Sequence, residues 1–423
     1  MARVSHFVLS IFVSAVFMVP ALGQDEATLV IGTDALTKTP IHVEEFLYEN
    51  APLVRFPGGE AIEDVLVNDL EYSDLFRVSR GPNPRGAPSG RSHLPPSDVR
   101  AIATATVRSA WGRTVVAGEL RDADTGERIF SKDYPLGNPP QRRAAHAFSD
   151  DIVNRMTGER GVADTRIAFV RDYGRTREIH LIDYDGVGEQ VLTNLGTILL
   201  SPAWAPSGDR LCFTSFETGQ AAVAGMDLHN RKTWTISPSG GMCASPCWSP
   251  DGRQVAFSRS LDGNSEIYIA DADGSNPVRL TYHKGIDTAP CFSPDGRRIA
   301  FTSDRTGAAQ IYVMERSGGN VQRLTYAGKQ NDSPSWSPHG DRIAFVSMID
   351  NAFDICTIRP GQVEAERLTS GEGMHENPRW APDGRHIVYS KLYRGQRRVY
   401  IMAANGSGKR ASVSYTHLRA HET

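Results

Sequence analysis

A mainly β chain, built as a six-bladed β-propeller preceded by a small α/β domain, is what this sequence predicts, and three observations carry that reading. The first is an uninterrupted interval of 44 residues: Pro202, Pro246, Pro290, Pro334 and Pro378 recur at it, each followed two residues later by Trp204, Trp248, Phe292, Trp336 or Trp380. The second is that further columns keep the same interval. They run through Phe169, Phe213, Phe257, Phe301, Phe345 and Tyr389, through Ile179, Val223, Ile267, Ile311, Ile355 and Val399, and through Leu192, Ile236, Leu280, Leu324 and Leu368. The third is the make-up of one repeat. Between Ser245 and Thr281 four short apolar or β-branched runs alternate with Pro-Asp-Gly, Asp-Gly-Asn and Asp-Gly-Ser, residues that accept the positive φ of tight turns. A period of about 40–50 residues made of short strands marks a propeller with one blade per repeat.

Taken in chain order, residues 1–23 read as a secretory signal peptide: Arg3, an apolar stretch from Phe7 to Val19, then Ala21-Leu22-Gly23, with cleavage expected before Gln24. That apolar stretch is shorter than the ~20 residues a spanning helix needs. Residues 24–160 lack the repeat and form the expected α/β domain. Thr28 to Ile31 and Ile41 to Phe46 read as strands. Ile62 to Phe76 reads as a helix, with Ile62, Val65, Leu66 and Leu70 on one face. Thr114 to Leu120 and Arg128 to Tyr134 flank the turn Asp124-Thr125-Gly126, and a second helix presents Ala145, Phe148, Ile152 and Met156 before ending at Gly158. Arg80 to Pro96, rich in Pro, Gly and Ser, reads as a loop.

Residues 161–410 are the propeller. An isolated blade cannot cover its own apolar faces, so neighbours stack on both sides and the Pro-x-aromatic residue packs between them. The first blade is incomplete: 44 residues before Pro202 and Trp204 stand Gly158 and Arg160. A C-terminal strand would complete it and remove the open edge. The forward extrapolation instead meets Glu422, and Ser412 falls where an apolar residue is due. Residues 411–423 (ASVSYTHLRAHET) are therefore expected to be a tail foreign to the fold, resembling a translated adapter junction.

A net charge of −3 offers no electrostatic reason to expect nucleic acid, and the chain is expected to act as a monomer without a cofactor. The five cysteines contain no Cys-x-x-Cys. Cys247 and Cys291 hold equivalent positions in adjacent blades, where ring spacing is expected to keep them too far apart to bridge. There is no Gly-x-Ser-x-Gly elbow, Walker loop or His-Glu-x-x-His. Asp183-Asp185-Gly186 and Asp271-Asp273-Gly274 resemble half a calcium loop and are read as turn residues. The segment before each Pro-x-aromatic varies inside a strict repeat. Ala244, Thr288, Asp332 and Glu376 succeed one another there, each preceded by Cys243, Asp287, Asn331 or His375. Read as loops converging on one channel mouth, these positions, with Met242, are the candidate binding residues.

Signal peptide, small α/β domain and blades in this order resemble the TolB family, whose repeats are WD40-like. Asp69 to Phe76, Asp122 to Gly126 and Thr157 to Phe169 add to the likeness. The resemblance implies a periplasmic, non-enzymatic adaptor of the Tol-Pal system that supports outer-membrane integrity and cell division. It further implies that the channel mouth (Met242, Thr288, Asp332, His375, Glu376) binds the lipoprotein Pal. The mature N-terminus (Asp25, Glu26, Leu29, Val30, Ile31) would bind TolA, adding as an edge strand. The competing reading is a periplasmic propeller enzyme, a carbohydrate lyase or hydrolase working with channel acids and histidines. A ligand-free scaffold is the third.

Overall fold

The computed structural model describes residues 38–56, 59–83, 96–110, 112–137, 142–261 and 263–412. The chain divides into two compact units between Asp164 and Thr165. The signal peptide, the segment carrying Asp25 to Ile31 and most of the Pro/Gly/Ser-rich loop lie outside the described residues.

The first unit runs β1 (Thr39–Glu44), β2 (Leu47–Glu49), α1 (Ile62–Tyr72), β3 (Phe76–Gly81), β4 (Ala101–Ala110), β5 (Arg113–Asp122), β6 (Arg128–Pro135) and α2 (Arg143–Thr157). The sheet order is β3-β1-β4-β5-β6, with β2 also paired to β4. β1 is parallel to β3 and β4, while β4, β5 and β6 form an antiparallel meander. The meander turns where Asp122 Oδ1 accepts the amides of Asp124 and Thr125 at 3.0 and 2.8 Å. Ile62, Val65, Leu66 and Leu70 of α1 and Phe148, Ile152 and Met156 of α2 bury against Ile41, Val43, Val107, Val116 and Leu120 of the sheet. Asp64 caps the start of α1 by accepting the Ala61 amide at 2.9 Å. The helix stops at Tyr72, four residues before the sequence pattern ends, because Asp74 turns into the left-handed region (φ 60°) and Phe76 opens β3. Phe76 still fills the same core, which is why its apolarity read as helical. Gly158 (φ 73°) ends α2, its amide bonding Asn154 O at 2.8 Å.

The second unit is a six-bladed propeller. Blade 1 is a three-stranded sheet, β7 (Arg166–Asp172), β8 (Arg177–Asp183) and β9 (Gln190–Val191). Blades 2 to 6 are four-stranded antiparallel sheets. Their first strands are Leu199–Trp204, Met242–Trp248, Asp287–Phe292, Asn331–Trp336 and Met374–Trp380. These first strands pack on one another from blade to blade and form the inner wall. The phenylalanine column lies in the second strands and the isoleucine column in the third, both inside the apolar clusters that join each blade to the next. Trp248 Nε1 donates to Ala203 O at 3.2 Å and Trp380 Nε1 to Ser335 O at 3.0 Å, so these two indoles are pinned to the preceding blade, while Trp336 Nε1 bonds Gly340 O of its own blade at 3.2 Å.

Phe169 stands in β7, so β7 holds the second-strand place and the inner-strand place of blade 1 is empty among the described residues. Blade 6 nonetheless meets blade 1 through the same geometry as the other seams. The carbonyl of Ser412 lies where a Cβ on Gly186 (φ 88°) would sit, as those of Leu280 and Leu368 do at Gly318 and Gly406. Tyr184 packs edge-on against His386 (5.7 Å), and the Arg410 guanidinium lies 4.7 Å from its ring. The repeat was expected to break from Ala411. Instead Arg410 and Ala411 pair with Ile401 and Tyr400, and the Ser412 amide bonds Val399 O at 2.9 Å, as that of Leu368 bonds Ile355 O at 2.8 Å. A backbone ladder does not depend on which side chain follows, so the register runs two residues beyond Arg410, the last residue expected to fit it.

Ser412 is 3% exposed and its hydroxyl has no partner among the described residues. Equivalent slots hold Leu or Ile. Ser412→Leu is therefore expected to stabilise the propeller by about 1–3 kcal/mol, by burying apolar surface and removing an unpaired hydroxyl. A higher thermal midpoint checks it; an unchanged or lower one means the slot cannot take a leucine.

Candidate functional site

Every four-stranded blade breaks its inner-strand ladder at the same point. Proline has no amide to donate, and the residue before it is turned away from the right-handed helical region. Here that residue takes positive φ each time: Ser201 (50°), Ser245 (54°), Ala289 (50°), Ser333 (55°) and Asn377 (56°). The pairing shifts across each of these points, from Leu200 to Ala203 through to Glu376 to Arg379, making five aligned β-bulges.

The candidate residues just upstream, read from sequence as loops, are thus strand residues. Thr288 pairs with Thr302, Asp332 with Val346, His375 with Lys391 and Glu376 with Ser390. Met242 is the first residue of its strand and is 58% exposed. Thr288 and Asp332 are half-buried, and Asp332 Oδ1 accepts the Thr302 hydroxyl at 2.8 Å. Glu376 is 5% exposed and ion-paired with Arg397. His375 is 2% exposed, its Nδ1 3.0 Å from Asp354 Oδ1.

His375 belongs to a polar seam. On the third strand of the preceding blade a buried acid or amide holds the threonine of the Leu-Thr pair: Glu178 with Thr193 (2.6 Å), Glu266 with Thr281 (2.6 Å), Gln310 with Thr325 (2.9 Å) and Asp354 with Thr369 (2.8 Å). Each threonine Oγ1 in turn accepts the amide of the isoleucine column, at 2.8–2.9 Å. From the next blade Asn331 Nδ2 reaches Gln310 at 2.8 Å as His375 reaches Asp354. Burial is the main force holding the His375 imidazole below its ordinary pKa, aided by the Lys391 charge and opposed by Asp354. Burial also raises the Asp287 carboxyl, against the pull of Ser303 and Arg305. These side chains align the blades, and the accessible ones at the same end are the candidate contact surface.

That surface includes residues the sequence reading passed over. Tyr282 (75% exposed) and Tyr326 follow the threonines in the segments leading into the inner strands of blades 4 and 5. Arg279 and Arg323 lie 4.5 and 4.8 Å from their ring centroids. The triplets Leu280-Thr281-Tyr282 and Leu324-Thr325-Tyr326, 44 residues apart, were the available signal. The half calcium loop at Asp271-Asp273-Gly274 is engaged in its own turn: Asp273 Oδ1 accepts the Ser275 amide (2.9 Å) and hydroxyl (2.6 Å), and Asp271 Oδ2 accepts Asn276 (2.7 Å).

Cys247 and Cys291 occupy the residue just after the proline on adjacent inner strands, and both are free thiols, as are Cys212, Cys243 and Cys356. The Cys247 thiol donates to Trp248 O at 3.5 Å and the Cys291 thiol to Phe292 O at 3.6 Å, while Cys291 Sγ accepts the Trp336 amide at 3.3 Å.

A family profile described as the TolB beta propeller domain matches residues 153–419. The Tol-Pal system protein TolB of Cereibacter sphaeroides is 34% identical over 235 residues, 51% of this chain and 51% of the relative. That of Dinoroseobacter shibae is 35% identical over 257 residues, 54% and 55% of the two chains. The chain thus spans about half the length of these curated relatives. The crystal structure of TolB from Acinetobacter baumannii aligns with a TM-score of 0.74 at 26% identity, covering 88% of this chain and 93% of that one.

Proposed function

The chain belongs to the TolB β-propeller family, and from that premise we propose that it is a non-catalytic adaptor of the Tol-Pal envelope system. It works in the periplasm, where it supports outer-membrane integrity and cell division. The inner-strand mouth binds the lipoprotein Pal through Met242, Thr288 and Asp332, with His375 and Glu376 setting the wall behind them. The N-terminal segment carrying Asp25, Glu26, Leu29, Val30 and Ile31 binds TolA. One observation carries the reading: variable, accessible positions stand at one end of a wall whose five bulges hold them in fixed register.

The engagement of the acids and the histidine favours a binding surface over an enzyme. His375 is held by Asp354, Glu376 by Arg397 and Asp332 by Thr302, so none is left as an acid–base pair poised over the mouth. No helix among the described residues is long and apolar enough to cross a membrane.

Co-purification from envelope extract tests both contacts. Met242→Ala, Thr288→Ala and Asp332→Ala combined should lose a peptidoglycan-binding lipoprotein while circular dichroism stays unchanged. Glu376 is spared because its ion pair supports the wall. Deleting residues 24–34 should lose TolA and keep the lipoprotein. Undiminished capture of the lipoprotein by the triple variant overturns the mouth assignment.

A further inference from the structure

The third-strand place opposite the phenylalanine column is held by His180, Ala224, Tyr268, Tyr312, Cys356 and Tyr400, again 44 residues apart. In blades 3, 4 and 6 it carries a tyrosine that pairs across the ladder with the column's ring. Phe257 meets Tyr268, Phe301 meets Tyr312 and Tyr389 meets Tyr400, at centroid distances of 6.1, 5.9 and 5.7 Å. In blade 4 the Tyr312 hydroxyl bonds Thr306 Oγ1 at 3.0 Å, and Arg323 Nη1 donates to the same oxygen at 3.4 Å. Blade 5 keeps Phe345 but sets Cys356 opposite it. A cavity of about 450 Å³ is lined by that pair, by Tyr326 and Val363, and by Asp350 and Arg367. Asp350 and Arg367 stand 44 residues after Thr306 and Arg323, so the cavity joins the missing ring's place to the polar end of its slot.

We propose that this cavity is a binding site for a small phenolic compound, whose ring takes the place that tyrosine holds in blades 3, 4 and 6 and whose hydroxyl donates to Asp350. The volume lies in the range of small-molecule sites, ~300–1,000 Å³. An apolar cavity of ~150 Å³ already takes up benzene, so there is room for a ring and a substituent opposite the hydroxyl. Phe345 and Cys356 are 1% and 2% exposed, which makes the floor dry and apolar, while Tyr326, Asp350 and Val363 stand open to solvent. A floor this enclosed favours a free ring over one carried on a partner's backbone. At the polar end Asp350 takes the part that Thr306 plays for Tyr312, and Arg367 Nη1 lies 3.8 Å from Asp350 Oδ2 as Arg323 lies beside Thr306. A hydroxyl donating to a carboxylate makes a stronger bond than one shared with another hydroxyl. Burial of the ring therefore supplies attraction, and Asp350 selects phenols over plain arenes.

The test titrates p-cresol, the tyrosine side chain as a free molecule, into the full folded chain and follows binding by calorimetry and ligand NMR. Saturable binding is expected. Toluene, the same ring without the hydroxyl, should bind at least about tenfold more weakly, the loss of a hydrogen bond to a charged group. Asp350→Gly, which suits the positive φ of that turn residue (51°), should bring p-cresol down to the level of toluene and leave toluene unchanged. Cys356→Tyr should refill the slot from within and abolish binding of both. Three blades already carry tyrosine there, so this variant is expected to fold, and a thermal melt checks it. If it does not fold, Asp350→Gly alone decides. No saturable p-cresol binding, equal affinity for toluene, or undiminished binding by either folded variant overturns the proposal. Tighter binding of a Gly-Tyr-Gly peptide than of p-cresol would assign the slot to a partner's tyrosine and overturns it as well. Neither variant touches the proposed lipoprotein contact, so the result stands apart from what the propeller mouth binds.

Discussion

Asp354→Ala is expected to cost the propeller about 3–5 kcal/mol, the size seen when one partner of a buried, fully engaged ion pair is removed. The carboxylate is inaccessible to solvent, and both its oxygens are used. Oδ1 takes the Thr369 hydroxyl at 2.8 Å and His375 Nδ1 at 3.0 Å, and Oδ2 takes Arg367 at 2.5 and 3.0 Å. Truncation strands a hydroxyl and an imidazole in a dry seam, and loosens the hold on the isoleucine-column amide through Thr369. Asp354→Asn keeps one oxygen acceptor and should lose less. Denaturant melts of the two variants decide the matter. If Asp354→Ala melts within about 1 kcal/mol of the parent, the seam does not bind the blades as described.

Trp380→Ala is expected to be of similar size, about 3–5 kcal/mol. The indole is buried between blades 5 and 6 among Ala344, Val346, Leu368, Ile387 and Met402, and its Nε1 donates to Ser335 O at 3.0 Å. Truncation removes the apolar contact, leaves a cavity and unpairs a carbonyl in one step. Met242→Ala serves as the control. An exposed position with no such role should shift stability by less than about 0.5 kcal/mol. Equal melts for Trp380→Ala and the control would mean that the aromatic column does not hold the blades together.

The two variants separate two levels of legibility. Trp380 was readable from its interval of 44 residues and its chemistry. Asp354 was not, because its column changes identity from Glu178 through Glu266 and Gln310 to Asp354, and only its shared hydrogen bond to a threonine reveals the kinship. Likewise the mouth residues were found by position, yet sequence could not sort Met242, left in solvent, from His375, sealed in the seam.

By itself the sequence determined the blade count, the four-strand unit, the apolar columns and, in the first unit, the β5–β6 turn and the end of α2 at Gly158. All of these follow from short-range patterning, in which burial alternates with a local period and glycine marks where the chain must turn. The tertiary structure alone decided the five bulges that convert expected loops into strand, the end of α1 at Asp74 and the backbone register carried through Ser412. It also decided the meeting of His375 with Asp354. That pair is 21 residues apart in sequence and is brought together by the stacking of one blade on the next. The bulges and the register through Ser412 are built by backbone hydrogen bonds without regard to side-chain identity, so no local pattern of residues could announce them.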